Sequence, residues 1–91
     1  MAKIIINGTD VALPPLNYGA VKANKSTIDQ VTAEGLTYDQ RVDASVAFLR
    51  LAAPSLDADS VPPAVLLAVA RDLYTATFYR PEDAAPAQPN P

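Results

Sequence analysis

A chain of 91 residues with seven Lys and Arg against ten Asp and Glu, and a formal charge of −3, is at most one domain and lacks the basic surface on which nucleic-acid binding rests. Cysteine and histidine are both absent, which removes disulfides, Cys–His metal sites, thiol nucleophiles and the commonest general base together. The N-terminal MAKIIING has too few large apolar residues for a signal-peptide core and far too few for a membrane span, so the expectation is a cytoplasmic protein of a reducing compartment.

In chain order, Lys3 to Asn7 is a β-branched run and Asp10 to Leu13 a second short extended run. The intervening turn residues predict a hairpin, and Asn7-Gly8 is the favoured pair where both central residues need φ > 0. An Asn-Gly turn pairs Ile6 with Thr9 and puts Ile4 and Ile6 on one face, Ile5 on the other. A turn on Gly8-Thr9 is the alternative register. An isolated hairpin is marginal in water, so helices must cover one of its faces. Pro14-Pro15 ends the second strand because proline cannot donate to a ladder.

Asn17 is a plausible N-cap for a helix with Tyr18, Val21, Ile28 and Val31 at helical spacing. Lys25 interrupts that stripe, and Asn24 to Thr27 can split the segment into two short helices. After Gly35, Thr37-Tyr38-Asp39-Gln40 has the spacing of a capping box and predicts a helix ending before Pro54. Its stripe is Val42, Val46, Leu49 and Ala53, with Asp39 and Asp43 near the positive end of the dipole and Arg50 near the negative end. Phe48 and Leu51 lie off that stripe. Residues 54–60 form a polar connection in which Leu56 is a plug into the core.

Val61 to Arg80 is the longest apolar run. Pro62 and Pro63 suit a first turn, with Asp59 or Ser60 as the cap. Leu66, Val69, Ala70 and Leu73 share one side, Leu67, Tyr74 and Phe78 fall beside them, and Arg71, Asp72 and Thr75 face away. The apolar arc spans roughly 200°, about twice what one core contact needs. The domain therefore runs over residues 1–80. Residues 81–91, PEDAAPAQPNP, hold four prolines and no large apolar residue, and read as a disordered tail.

Carboxylate chemistry has little to build on. Asp39 and Asp43 stand i,i+4, but both fall in the first turns of a helix, where negative charge is favourable anyway. Asp57 to Ser60 lacks the glycine and terminal glutamate of a calcium loop. Ser26 and Ser45 have no histidine partner, and Gly8, Gly19 and Gly35 are isolated, so neither a nucleophile elbow nor a phosphate-cradling loop exists. No catalytic residue, cofactor site or metal site is assigned. Phe48, Leu67, Tyr74, Phe78 and Tyr79 remain as candidates for a protein-binding surface, which either a partner helix or a second copy of the chain can cover.

The order of these elements resembles a family, the small tail assembly chaperones of long-tailed bacteriophages and prophages. The resemblance runs from Ile4 to Ala70: the hairpin IIINGTDVAL, the phrase Leu13-Pro14-Pro15-Leu16-Asn17-Tyr18, then Ile28-Asp29. It continues through an Arg41-Val42-Asp43 helix closing on Leu49-Arg50-Leu51-Ala52-Ala53-Pro54, and a last helix after Leu56. The chain departs from the family in being clipped and alanine-rich, without a basic segment before that proline. The elements read from the residues make an α+β fold, a short N-terminal hairpin packed on a two- to three-helix cluster. The resemblance implies a non-enzymatic, cofactor-free role in the bacterial host cytoplasm, binding the helical tape-measure protein and tail-tube subunits until the tail polymerises. A structural or adaptor protein of the same particle, or a homo-oligomeric interaction module, is the alternative.

Overall fold

Asn7 and Gly8 both take positive φ, 52° and 80°, the pair of left-handed conformations that turns a right-twisted hairpin in two residues. In the computed structural model, which describes residues 2–79, this turn joins strands β1 (Ala2–Ile6) and β2 (Thr9–Leu13). The register pairs Ile6 with Thr9 and Ile4 with Val11, so the Asn-Gly alternative holds and the Gly-Thr one does not. Ala2, Ile4 and Leu13 are buried on one face of the sheet, while Ile5 stands out on the other. There Lys3 reaches the Asp10 carboxylate at 3.6 Å.

The segment after Pro14-Pro15 is split, as the interruption at Asn24 to Thr27 suggests, into α1 (Tyr18–Ala23) and α2 (Lys25–Val31). The Asn17 side chain accepts a hydrogen bond from the Ala20 amide at 2.8 Å and caps α1. Lys25, the charge within the stripe, points outward and pairs with Asp29 one turn on at 3.3 Å. Only Ile28 of these two helices is buried.

Helix α3 (Tyr38–Ala52) opens with the expected capping box: Thr37 accepts from the Gln40 amide and the Gln40 side chain accepts from the Thr37 amide. At the other end Arg50 donates from Nε and Nη2 to the Leu56 carbonyl at 3.3 and 3.2 Å. This clamps the connection and seats Leu56 in the core at 5% exposure. Helix α4 (Pro63–Phe78) has Pro63 as its first residue. Its cap differs from expectation. Ala58–Ser60 forms a separate 3₁₀ turn, in which the Ser60 hydroxyl donates to the Asp57 carboxylate at 2.7 Å. Neither Ser60 nor Asp59 therefore caps α4, whose N-cap Pro62 makes no side-chain bond.

The core lies between the inner face of the hairpin and the α3–α4 pair. Leu66, Val69, Ala70 and Leu73 of α4 enter it as the periodicity requires. Val46 and Arg50 lie beside Pro63 and Leu66, while Arg41 and Ser45 lie beside Arg71 and Tyr74, so the two helices run in opposite directions. The buried face of α3 is Ala44, Ser45, Phe48 and Leu49; it shares Leu49 with the predicted stripe but is rotated from Val42 and Val46, which are only partly covered. Phe48 is the largest side chain at zero exposure, and burial of such a group contributes about 1.5–3 kcal/mol. The architecture is thus α+β, a two-stranded antiparallel hairpin on a helical cluster. The expected tail at 81–91 lies outside the described residues.

Candidate functional site

The five residues assigned to a binding surface separate into three environments. Phe48 is core and not surface, which corrects the reading from its place off the apolar stripe: it is the largest fully buried side chain and sits in the core cluster. Leu67 and Tyr74 are half-buried. Phe78 and Tyr79 are exposed, at 40% and 63%. The Tyr74 ring lies 6.1 Å from that of Phe48 and 4.6 Å from that of Phe78. The aromatic residues thus form a track from the core to the open end of α4.

That end of α4 is fixed by one long-range bond. The Leu16 amide donates to the Thr77 hydroxyl at 3.2 Å, tying the chain that enters α1 to the last turn of α4. Tyr18, two residues on, is also exposed and holds the Lys22 ammonium 4.9 Å from its ring centroid, a cation–π distance.

Below the aromatic end is a groove of about 260 Å³ between α2, α3 and α4. Val31 and Thr32 at the end of α2 form one wall. Arg41 and Ser45 of α3 form the second, and Leu67, Ala70, Arg71 and Tyr74 of α4 the third. Helix α2 packs on α3, so the Leu67–Tyr74 side of α4 is flanked without being covered. Of the eight lining residues, sequence reasoning assigns only Leu67 and Tyr74 to the surface, and Arg41, Ser45 and Arg71 supply its polar groups. Arg71 is exposed, as its place on the outward face of α4 predicts, and it meets Arg41 and Ser45 at one groove because of how the two helices are set against each other.

The charges here stand apart from the rest. Among the described residues Lys3 and Lys25 have carboxylate partners, Lys22 sits over Tyr18, and Arg50 is bonded to Leu56. Arg41 and Arg71 make neither an ion pair nor a side-chain hydrogen bond with any described residue, and no acidic side chain lines their groove. Ser45 is the buried polar side chain of the core, at 4% exposure, and its hydroxyl has no hydrogen-bond partner among the described residues. A buried hydroxyl left in that state costs about 1–3 kcal/mol relative to one that is bonded.

A larger hollow of about 550 Å³ on the opposite side of the α3–α4 pair contains Asp43, Asp59 and Arg50, but Arg50 is already committed to the Leu56 carbonyl. No helix among the described residues is long and apolar enough to cross a membrane. No family model matches the chain, and no curated protein or solved structure matches it. The functional reading therefore rests on the residues themselves and on the resemblance in their order.

Proposed function

We propose that this chain is a non-enzymatic protein-binding module that acts as a tail assembly chaperone of the long-tailed phage type, holding tape-measure and tail-tube proteins in the bacterial cytoplasm until they polymerise. The observation that carries the binding role is the state of α4. Its Leu66–Leu73 side is packed, whereas Leu67 and Tyr74 remain half open, and Phe78 and Tyr79 emerge at its end. A surface of this kind, rigid underneath and apolar on top, suits the apolar stripe of an amphipathic helix. The step from binding module to tail chaperone is supported by the likeness of element order from Ile4 to Ala70.

The test is to assemble tails in cells with and without the gene, then to analyse the purified tails. A chaperone is required for tails to form and is missing from the finished particle. Recovery of the chain in mature tails favours a structural or adaptor role instead. Normal tail formation without it removes the phage reading and leaves a generic interaction module. Sedimentation over a range of concentrations separates a homo-oligomer from a monomer that awaits its partner.

A further inference from the structure

From the groove between α2, α3 and α4 we infer that the partner segment is acidic: a peptide whose apolar side chains rest on Leu67 and Tyr74 while its carboxylates reach Arg41 and Arg71. The inference rests on the reading of α4 as a binding face and adds the chemistry of what it binds.

Three observations converge on it. The chain carries a net charge of −3, so an acidic partner is repelled by most of its surface and is admitted only where positive charge gathers. Arg41 and Arg71, from different helices, line one groove whose lining contains no acidic residue, and neither makes an ion pair with a described residue. Guanidinium groups in that state are suited to paired hydrogen bonds with carboxylates. The third observation is Ser45. Ser45 lines the same groove as both arginines, is 4% exposed, and its hydroxyl lacks a partner among the described residues. A carboxylate entering the groove supplies the missing acceptor. The volume, about 260 Å³, holds a side chain or two and not a whole helix, so the partner lies across the opening and inserts individual groups.

The experiment uses the full chain and two labelled probes. One is a blocked amphipathic peptide of about four helical turns, with leucines on one face and glutamates flanking them, and the other is the same peptide with lysines in place of the glutamates. Fluorescence anisotropy is expected to show binding of the glutamate peptide and at least fivefold weaker binding of the lysine peptide. The double variant Arg41→Gln/Arg71→Gln should weaken the glutamate peptide about fivefold to tenfold, the loss that two exposed ion pairs bring. Lys22→Gln, away from the groove, should leave binding unchanged. Added salt should weaken the wild-type complex and have less effect on the double variant.

Equal affinity for the two peptides overturns the inference, as does full binding by the double variant. If the glutamate peptide binds only after Glu82→Gln/Asp83→Gln, the chain's own acidic pair is the occupant and the partner proposal fails. Self-association abolished by Arg41→Gln/Arg71→Gln makes a second copy the occupant and likewise overturns it. None of these outcomes touches the chaperone reading, which stands or falls on whether the chain is needed for tails and absent from them.

Discussion

Phe48 and Tyr74 meet across the α3–α4 contact with ring centroids 6.1 Å apart and ring planes inclined at 55°. One ring is sealed in the core and the other is half open, so this pair joins the stability of the fold to the candidate surface. Tilted aromatic pairs of this kind add about 0.5–1.5 kcal/mol beyond simple burial. Phe48→Ala is expected to cost about 3–5 kcal/mol and to loosen Tyr74 as well. Phe78→Ala, at the exposed end of the same track, should cost less than about 1.5 kcal/mol. Urea unfolding of the two variants checks the contrast, and similar losses would place Phe78 inside the core.

The hairpin turn allows a second prediction without the ambiguity of packing. A Cβ built on Gly8 meets no atom within 4 Å, while its φ is +80°. Gly8→Ala should therefore destabilise through backbone conformation alone, by about 1–2 kcal/mol. Gly19 is a contrasting control, being helical with only the Asn17 Oδ1 near its added Cβ, at 3.6 Å. Gly19→Ala should be neutral or stabilising, by up to about 1 kcal/mol. Paired thermal melts measure both.

Much of the fold is legible in the chain because its signals are local. Asn7-Gly8 specifies the turn and hence the register, Thr37 with Gln40 specifies where α3 starts, and the spacing of Leu66, Val69 and Leu73 specifies the buried side of α4. On α3 the predicted stripe is only partly the buried side: Leu49 is buried, but Val42, Val46 and Ala53 lie at the core's margin, and the reason is equally physical. Alanines at 44, 47, 52 and 53 surround that helix, so several stripes are nearly equivalent by pattern. Packing then chooses the face with the bulky Phe48, although the polar Ser45 comes with it. Of the groove only Leu67 and Tyr74 are legible in the sequence, since Arg41 and Arg71 come to line one groove only through the pairing of α3 with α4.

At the start of α3, Thr37→Ala removes the acceptor for the Gln40 amide, a bond of 3.2 Å. The expected cost is about 0.5–2 kcal/mol. Gln40→Ala should show a smaller loss, because it leaves the Thr37 bond in place. Hydrogen exchange at the first amides of α3 follows the same ranking, and equal protection in both variants would contradict the reciprocal cap.

Ser45 carries a prediction of opposite sign. Its hydroxyl is buried without a partner among the described residues, so Ser45→Ala removes an unsatisfied polar group and improves helix propensity. The variant should be more stable by about 0.5–1 kcal/mol, while its affinity for the glutamate peptide falls. A lower melting temperature would show that the hydroxyl has a structural bond.

The decisive measurement is a map of backbone amide shifts during titration of the full chain with a helical segment of a tape-measure protein, the proposed partner. A binding face on α4 predicts the largest changes at Leu67, Arg71, Tyr74, Phe78 and Tyr79, with α3 responding at Arg41 and Ser45 and the hairpin little affected. Changes centred on Ile5 and the outer face of the hairpin, with α4 silent, would contradict it.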